Sequence, residues 1–249
     1  MLRALLLIVY IFMSSLYSST ISIAVAANVS YASAALIKEF NKNYPQTKVK
    51  ITLGSSGKLT AQIKHGAPYQ LFMSADMKYP YSLYYEKIAI AEPVIYTNGL
   101  LAYLSSKGKD FSLGMQLLKK NCIKKIAIAN PKTAPYGKAT LEAFKLSGVY
   151  ENIKDKLVFA ASASSVVSYA ITVADIGIVP KSILLSERMI KFKKGVNWID
   201  VDSSLYSPIH QGIVILQKGK NNKEVMNFYK FILSKKAKMI FERFGYISL

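Results

Sequence analysis

The chain has 249 residues, enough for one large or two modest domains, and its 51% hydrophobic content excludes an intrinsically disordered protein. It carries 33 Lys and Arg against 14 Asp and Glu, a formal net charge of +19. The lysines are spread in small groups over the second half of the chain. That dispersion argues against nucleic acid as a partner and favours a solvated surface whose positive field attracts anions.

The N-terminus has the layout of a secretory signal peptide. Arg3 gives a basic start, residues 4–13 are apolar, and small polar residues follow. The apolar run is shorter than the roughly 20 residues that span a bilayer. We interpret residues 1–19 as a signal peptide cleaved near residues 18–20, which predicts a periplasmic mature protein. An uncleaved N-terminal anchor is the alternative.

Cysteine and histidine are too scarce for several kinds of chemistry. Cys122 is the single cysteine, so the chain can form no internal disulfide, and we predict a buried or half-buried filler rather than a catalytic thiol. His65 and His210 are the two histidines. They are too few for a transition-metal site, and each is predicted to be a surface or capping residue.

Hydrophobic patterns of strand and helix periodicity alternate along the chain. The first strand is followed by a helical pattern that Pro45 ends, then by a second strand and a second helix that ends near Gly66. Such alternation predicts parallel strands with crossover helices, which is an α/β fold. The predicted strands are 21–25, 49–53, 71–74, 126–129, 157–161, 176–179 and 213–216.

The order of these patterns predicts two lobes. Residues 94–104 form an apolar run suited to a chain that crosses between lobes, and no Pro- or Gly-rich linker interrupts the sequence. We expect lobe I to comprise residues 20–97 and 206–249, and lobe II residues 98–205. Ligands of open α/β sheets bind at the carboxyl ends of the strands. The sequence therefore predicts a ligand cleft between the lobes.

Small polar residues follow several predicted strands. Asn28, Ser55, Ser56, Tyr136 and the 161–164 segment all lie at such positions. A strand followed by Gly and Ser and then by a helix leaves free N–H and O–H groups that can hold an anion. None of these side chains titrates near neutral pH, so the predicted chemistry is reversible binding of a tetrahedral dianion.

The serine loop at residues 54–57 has other interpretations. An ordinary strand-to-helix loop capped by Ser is the simplest alternative. A phosphate-binding P-loop is excluded because Lys58 is followed by Leu59 instead of Ser or Thr. An exported enzyme is a further alternative, but the sequence offers it no pair of nucleophile and base.

Five segments together carry a family resemblance. The chain resembles the molybdate-binding proteins of molybdate ABC importers, in matching order from Ile21 to the C-terminus, through AVAAN (24–28), GSSGKLTAQIKHGAP (54–68), FMSAD (72–76), IAIANPKTAPYG (126–137) and RFGYISL (243–249). The resemblance implies a two-lobed periplasmic binding protein, type II-like, that captures molybdate or tungstate and delivers it to a permease in the inner membrane. It implies a monomer with no cofactor and no enzymatic activity.

The resemblance also implies which residues contact the ligand. The family's first-loop contact falls on Asn28, and its second-loop serine falls on Ser56, with Ser55 as the alternative. The second-lobe contacts fall on Tyr136, directly after a proline, and on the backbone amide at or beside Ala163.

Three positions depart from the family's pattern. Ala161 and Ser162 stand where relatives commonly have an acidic residue followed by Asn or Asp. Pro180 stands where some relatives have a tyrosine, and proline donates neither a phenol nor a backbone hydrogen bond. The same fold with another ligand, such as thiosulfate, phosphate or an organic acid, therefore stays open as an alternative.

Overall fold

The structure is a computed structural model that describes residues 19–248. The predicted signal peptide lies outside these residues except for its last position. Within the described range, no helix has the length and apolarity needed to cross a membrane.

Ten strands form two five-stranded sheets. The first sheet has the order β2-β1-β3-β10-β4 and the second the order β7-β6-β8-β5-β9. The strands are β1 (Ser19–Ala26), β2 (Thr47–Gly54), β3 (Leu71–Met73), β4 (Val94–Gly99), β5 (Leu101–Leu104), β6 (Ile126–Ala129), β7 (Leu157–Ala160), β8 (Ile176–Pro180), β9 (Trp198–Asp200) and β10 (Ile209–Ile215).

Helices connect most of these strands and cover the sheets. Those assigned as α-helical are α1 (Ser30–Phe40), α2 (Ser56–Lys64), α3 (Lys78–Tyr85), α4 (Pro135–Leu146), α5 (Tyr150–Ile153), α6 (Ser165–Thr172), α7 (Lys181–Leu184), α8 (Lys223–Ile232) and α9 (Lys235–Arg243). Short 3-10 turns occur between them, including one at Ala27–Val29 directly after β1.

Each sheet combines parallel and antiparallel strands. In the first, β1 runs parallel to β2 and β3, while β10 is antiparallel to β3 and β4. In the second, β6 runs parallel to β7 and β8, while β5 is antiparallel to β8 and β9. The parallel pairs place the carboxyl ends of β1, β2 and β3 at one edge of the first sheet and those of β6, β7 and β8 at one edge of the second.

The chain crosses between the sheets twice. β4 ends at Gly99 and β5 begins at Leu101 in the other sheet, and the return passes between β9 and β10. We call the first sheet with its helices the first lobe, and the second sheet with its helices the second lobe. The predicted α/β, two-lobed fold is confirmed, and the apolar run at 94–104 is two strands that belong to different sheets.

Burial follows from this layering. Strand β1, which lies between β2 and β3, is buried on both faces, as its apolar run requires, and Ile21, Ile23 and Val25 are fully inaccessible to solvent. On one face of the first sheet, Phe40 of α1 packs edge-on against Phe228 of α8, with ring centroids 5.0 Å apart. A separate apolar cluster surrounds the second sheet.

Some local predictions need correction. Cys122 is exposed, so the prediction of a buried or half-buried filler was wrong. His65 follows the last residue of α2 and its Nδ1 lies 2.7 Å from the carbonyl oxygen of Ala61, as predicted for a capping histidine. His210 lies inside β10 rather than before a strand.

Candidate functional site

A small cavity lies between the two lobes, where the ends of strands from both sheets meet. Its free volume is about 10 Å³, far below the ~300–1,000 Å³ of pockets for drug-sized ligands. Its size therefore suits a small ion. The residues that line it are Ala26, Ala27, Asn28, Gly54, Ser55, Ser56, Ala75, Ala134, Pro135, Tyr136 and Ala163. All five residues that the sequence singled out are among them.

The serine loop forms one wall of the cavity. Ser55 is the N-cap residue of α2 and Ser56 is the first residue of that helix. The Ser56 hydroxyl oxygen accepts a hydrogen bond of 3.0 Å from the backbone N–H of Ala75, at the end of β3. This bond holds the side chain in place and leaves the hydroxyl proton for another acceptor.

Ser55 has an unusual environment. Its side chain lines the cavity, the residue is 4% exposed, and its hydroxyl oxygen is buried with no hydrogen-bond partner within residues 19–248. A buried hydroxyl without a partner costs about 1–3 kcal/mol. A polar ligand in the cavity would provide the missing partner.

Asn28 lies in the short helical turn that follows β1, and it is 1% exposed. Its side-chain amide donates to Gln211 Oε1 at 2.8 Å and to the Tyr246 hydroxyl at 3.0 Å. Both amide protons are therefore committed inside the protein. What Asn28 can offer the cavity is its backbone N–H, because the first N–H groups of a helical turn have no acceptor within that turn.

Tyr136 brings the second lobe to the cavity. It is the second residue of α4, directly after Pro135, which suits the first turn of a helix. The N–H of Tyr136 therefore has no acceptor within the helix. The Tyr136 hydroxyl points away from the cavity and accepts from Gln211 Nε2 at 3.0 Å. It lies close to Gly99, where an added Cβ would be 2.0 Å from the hydroxyl oxygen. Tyr136 thus extends from the cavity to Gly99, where the chain passes from β4 of the first lobe to β5 of the second.

Ala163 completes the second-lobe wall. It lies in the turn before α6 and is buried. The helix begins at Ser165, and in the turn before it the Ser162 hydroxyl accepts from the Ser165 N–H at 3.3 Å.

The residues that depart from the family's pattern lie around this wall. Ala161 is exposed, and Pro180 ends β8, where it pairs with Leu101 of β5. Neither is among the cavity's lining residues. The second-lobe part of the lining is therefore made of Ala134, Pro135, Tyr136 and Ala163, without a titratable group other than the Tyr136 phenol.

A buried polar network supports the site from behind. It consists of Asn28, Tyr96, Tyr136, Gln211 and Tyr246. Gln211 is fully inaccessible, and its Oε1 accepts from Asn28 and, at 3.0 Å, from the Tyr96 hydroxyl. Its Nε2 donates to Tyr136. Gln211 therefore links the lining residues of the two lobes, and no pattern in the sequence indicated it.

Burial keeps the phenols of this network protonated. Desolvation, followed by the proximity of Tyr246 and Tyr96, raises the pKa of Tyr136 well above its ordinary value. Burial likewise raises the pKa of Tyr96 and of Tyr246. The lining thus stays uncharged around neutral pH. A doubly charged anion would be held there by hydrogen-bond donors and by the positive ends of helix dipoles.

The two lobes touch across the cleft. The backbone N–H of Gly57 in α2 donates to the carbonyl oxygen of Thr133 at 3.0 Å, and the Tyr79 hydroxyl donates to that of Lys132 at 3.4 Å. A Cβ at Gly57 would lie 3.1 Å from the Thr133 Cα and 2.6 Å from the Tyr79 hydroxyl. The lobes are thus in a closed arrangement that depends on a glycine at this position.

The described residues contain no group of three or more His, Cys, Asp or Glu side chains that could hold a metal ion. A two-lobed α/β fold with a small uncharged cavity between its lobes is that of a protein that binds a small solute reversibly. The chain belongs to the bacterial extracellular solute-binding proteins, whose family model matches residues 21–247.

Individual relatives agree with this assignment. The chain is 33% identical over 231 residues to the molybdate-binding protein ModA of Azotobacter vinelandii, covering 92% of this chain and 90% of the relative. It is 31% identical over 226 residues to the ModA of Rhodobacter capsulatus, covering 90% and 87%. These relatives are binding proteins, which agrees with the prediction that the chain is not an enzyme.

Among solved structures, the Azotobacter vinelandii periplasmic molybdate-binding protein superposes with a TM-score of 0.84 at 28% identity, covering 92% of this chain and 99% of that one. The match extends over both lobes. The arrangement of the two sheets around the cavity is therefore that of a solved binding protein.

Proposed function

We propose that this chain captures molybdate or tungstate outside the cytoplasm and delivers it to an ABC importer. The observation that carries the proposal is the cavity, where uncharged donors from both lobes meet. They are the N–H groups of Asn28, Tyr136 and Ala163 and the hydroxyls of Ser55 and Ser56. The choice of molybdate rests on the names of the relatives, which are molybdate-binding proteins. The unpartnered Ser55 hydroxyl supports a ligand that has several hydrogen-bond acceptors.

Binding by such a site needs no covalent step. Each donor places a partial positive charge near one oxygen of the anion, and several donors together spread the two negative charges. Because the donors come from both lobes, the anion stabilises the closed arrangement by its higher affinity for that state. The permease in the inner membrane would recognise the closed shape. We further propose a periplasmic monomer with a cleaved signal peptide, and lobes that comprise residues 20–97 with 206–249 and residues 98–205.

Titration calorimetry with the purified mature protein tests the ligand. We expect tight binding of molybdate and tungstate and much weaker binding of sulfate, phosphate and thiosulfate, because the relatives named above are molybdate-binding proteins. Elemental analysis after exposure to a mixture of these oxyanions provides an independent readout. Equal binding of sulfate or phosphate would contradict the proposed selectivity.

A second candidate keeps the fold and changes the ligand. Pro180 favours it, because the resemblance places a tyrosine of some relatives at this position, and proline supplies no phenol. Under this alternative, the same titration series would show another anion, such as thiosulfate, phosphate or a small organic acid, bound more tightly than molybdate.

Small-angle scattering tests lobe movement. Addition of molybdate should reduce the radius of gyration, because the lobes close over the ion. An unchanged radius, with binding confirmed by calorimetry, would argue against closure.

A further inference from the structure

The N-terminus of α2 lacks the side-chain capping hydrogen bond that a serine at its N-cap position would normally form. A serine at the N-cap normally accepts from the N–H of the second or third helical residue. Ser55 holds this position with the extended backbone of a capping residue, φ −70° and ψ 147°, yet its side chain accepts no capping bond. The second helical residue is Gly57, and its N–H donates instead to Thr133 in the other lobe, at 3.0 Å.

Two groups are therefore displaced from their usual pairing at the same place. The Gly57 N–H has a partner that exists only while the lobes are together. The Ser55 hydroxyl has no partner among the described residues. It lines the cavity, and only 4% of the residue is exposed to solvent. The absence of a side chain at Gly57 permits this approach, since a Cβ there would lie 3.1 Å from the Thr133 Cα.

We propose that Ser55 has a separate role in each lobe arrangement. When the lobes are apart, its hydroxyl accepts from the Gly57 N–H and caps α2. When they close, Thr133 takes over that N–H, and the released hydroxyl donates to the oxyanion in the cavity. The backbone of Ser55 already has the capping conformation, so rotation about χ1 is enough for the exchange.

This inference rests on the proposed oxyanion binding and deepens it. It adds to the proposed donor role of Ser55 a capping role in the open arrangement, and it couples ligand binding to closure. Closure costs the capping bond but replaces it with the bond between Gly57 and Thr133, so the Gly57 N–H stays paired. The bound ion then satisfies the one hydroxyl that closure releases.

The test compares Ser55→Ala with the wild type in two measurements. Calorimetry with molybdate should show about tenfold weaker binding, since the lost bond to a charged ligand outweighs the lost cap of the open state. Site-resolved amide hydrogen exchange by NMR should show faster exchange at Gly57 in the ligand-free variant. In the molybdate-loaded variant, Gly57 should be as protected as in the wild type, because Thr133 is then its acceptor.

Ser234→Ala is the matched control. Ser234 is the N-cap of α9, and its hydroxyl oxygen accepts from the Ala237 N–H at 3.4 Å, away from the cavity. Its substitution should speed exchange at Ala237 equally in the free and loaded protein and leave molybdate affinity unchanged. A dependence on ligand state seen only at Gly57 supports the exchange of partners.

Two results would overturn the inference. One is a Ser55→Ala variant that binds molybdate as tightly as the wild type. The other is Gly57 exchange in the ligand-free variant that equals the wild-type rate. A wild-type protein that binds no oxyanion would instead overturn the proposed function, and the exchange rates of the ligand-free proteins would still decide whether Ser55 caps α2.

Discussion

The side-chain amide of Gln211 donates to the hydroxyl oxygen of Tyr136 over 3.0 Å, joining β10 of the first lobe to α4 of the second. Both side chains are buried, and Gln211 also accepts from Asn28. A single glutamine therefore connects two residues that line the cavity from opposite lobes. Their separation of 75 positions along the chain explains why no local pattern could predict this bond.

Tyr136→Phe should lower both stability and affinity. The change keeps the ring and the backbone N–H but leaves the Gln211 amide without its acceptor, which should reduce the free energy of unfolding by about 1–3 kcal/mol. Molybdate binding should weaken because the closed arrangement loses a bond between the lobes. Urea unfolding and calorimetry measure the two effects.

Tyr96→Phe is the matched control for that change. It removes a hydroxyl that also bonds Gln211, but Tyr96 lies on β4 of the same lobe. We expect a similar loss of stability with a smaller loss of affinity. Equal affinity losses in the two variants would show that the bond between lobes has no special role in closure.

Ser56→Ala should weaken molybdate binding by about 10- to 150-fold, the equivalent of losing one hydrogen bond to a charged group. Ser33→Ala provides the comparison, since the Ser33 hydroxyl donates to Val29 within the first turns of α1 and does not line the cavity. Calorimetry on both variants should show a loss of affinity in Ser56→Ala alone. Wild-type affinity in Ser56→Ala would remove this serine from the proposed site.

Gly99→Ala should destabilise the fold. A Cβ there would lie 2.0 Å from the Tyr136 hydroxyl and 2.7 Å from Gln211 Nε2, so the buried polar network would have to shift. Overpacking of this kind costs about 1–3 kcal/mol, and for a chain of this size each kcal/mol lowers Tm by roughly 2–4 °C. Thermal unfolding followed by circular dichroism measures the change.

Gly108→Ala serves as the control, because its added Cβ would meet its nearest neighbour, Val196, only at 3.3 Å. We expect its Tm to stay within about 2 °C of the wild type, the range of ordinary surface substitutions. A Gly99→Ala variant as stable as Gly108→Ala would show that the Tyr136 phenol can move without cost.

Asp76→Asn should become more stable relative to the wild type as pH rises. Desolvation raises the pKa of Asp76 from its ordinary value of 3.8, although bonds from the Tyr79 N–H and the Ser74 hydroxyl oppose the shift. The folded state therefore binds more protons than the unfolded state between 3.8 and the raised pKa. Wild-type stability consequently falls as pH rises through that window.

Asparagine has no such titration, and its side-chain oxygen can keep both bonds. The stability difference between Asp76→Asn and the wild type should therefore increase in favour of the variant as pH rises from below 3.8 to neutrality. Urea unfolding at a series of pH values measures it. A difference that stays constant with pH, or that favours the wild type at neutrality, would contradict the burial argument.

The strand-and-helix order could be predicted because it depends on local periodicity. The strand at 126–129 was predicted with the bounds that the structure shows. Asn28, Ser56 and Tyr136 were expected in one cleft because each follows the carboxyl end of a strand, where ligands of open α/β sheets bind. Helix α3 was not predicted: Pro80 and several tyrosines interrupt its helical signal, yet proline is tolerated there in the first turn.

The chemical detail of the site could not be predicted, because it depends on contacts between distant positions. The sequence indicated an amide at Asn28. It did not indicate that the two amide protons are hydrogen-bonded to Gln211 and Tyr246. It likewise indicated a hydroxyl at Ser55 but not that the capping N–H is diverted to the other lobe. Cys122 was predicted to be buried or half-buried from residue type alone, and the turn that holds it lies at the surface.

The uncharged lining of the cavity has a consequence for unloading. No side chain in that lining gains or loses a proton in the physiological range, since burial raises the pKa of its only phenol. A fall in external pH within this range would therefore leave the affinity of the site for a bound ion almost unchanged. Under the proposed function, release would therefore require separation of the two lobes, so the permease that separates them would set the time of release.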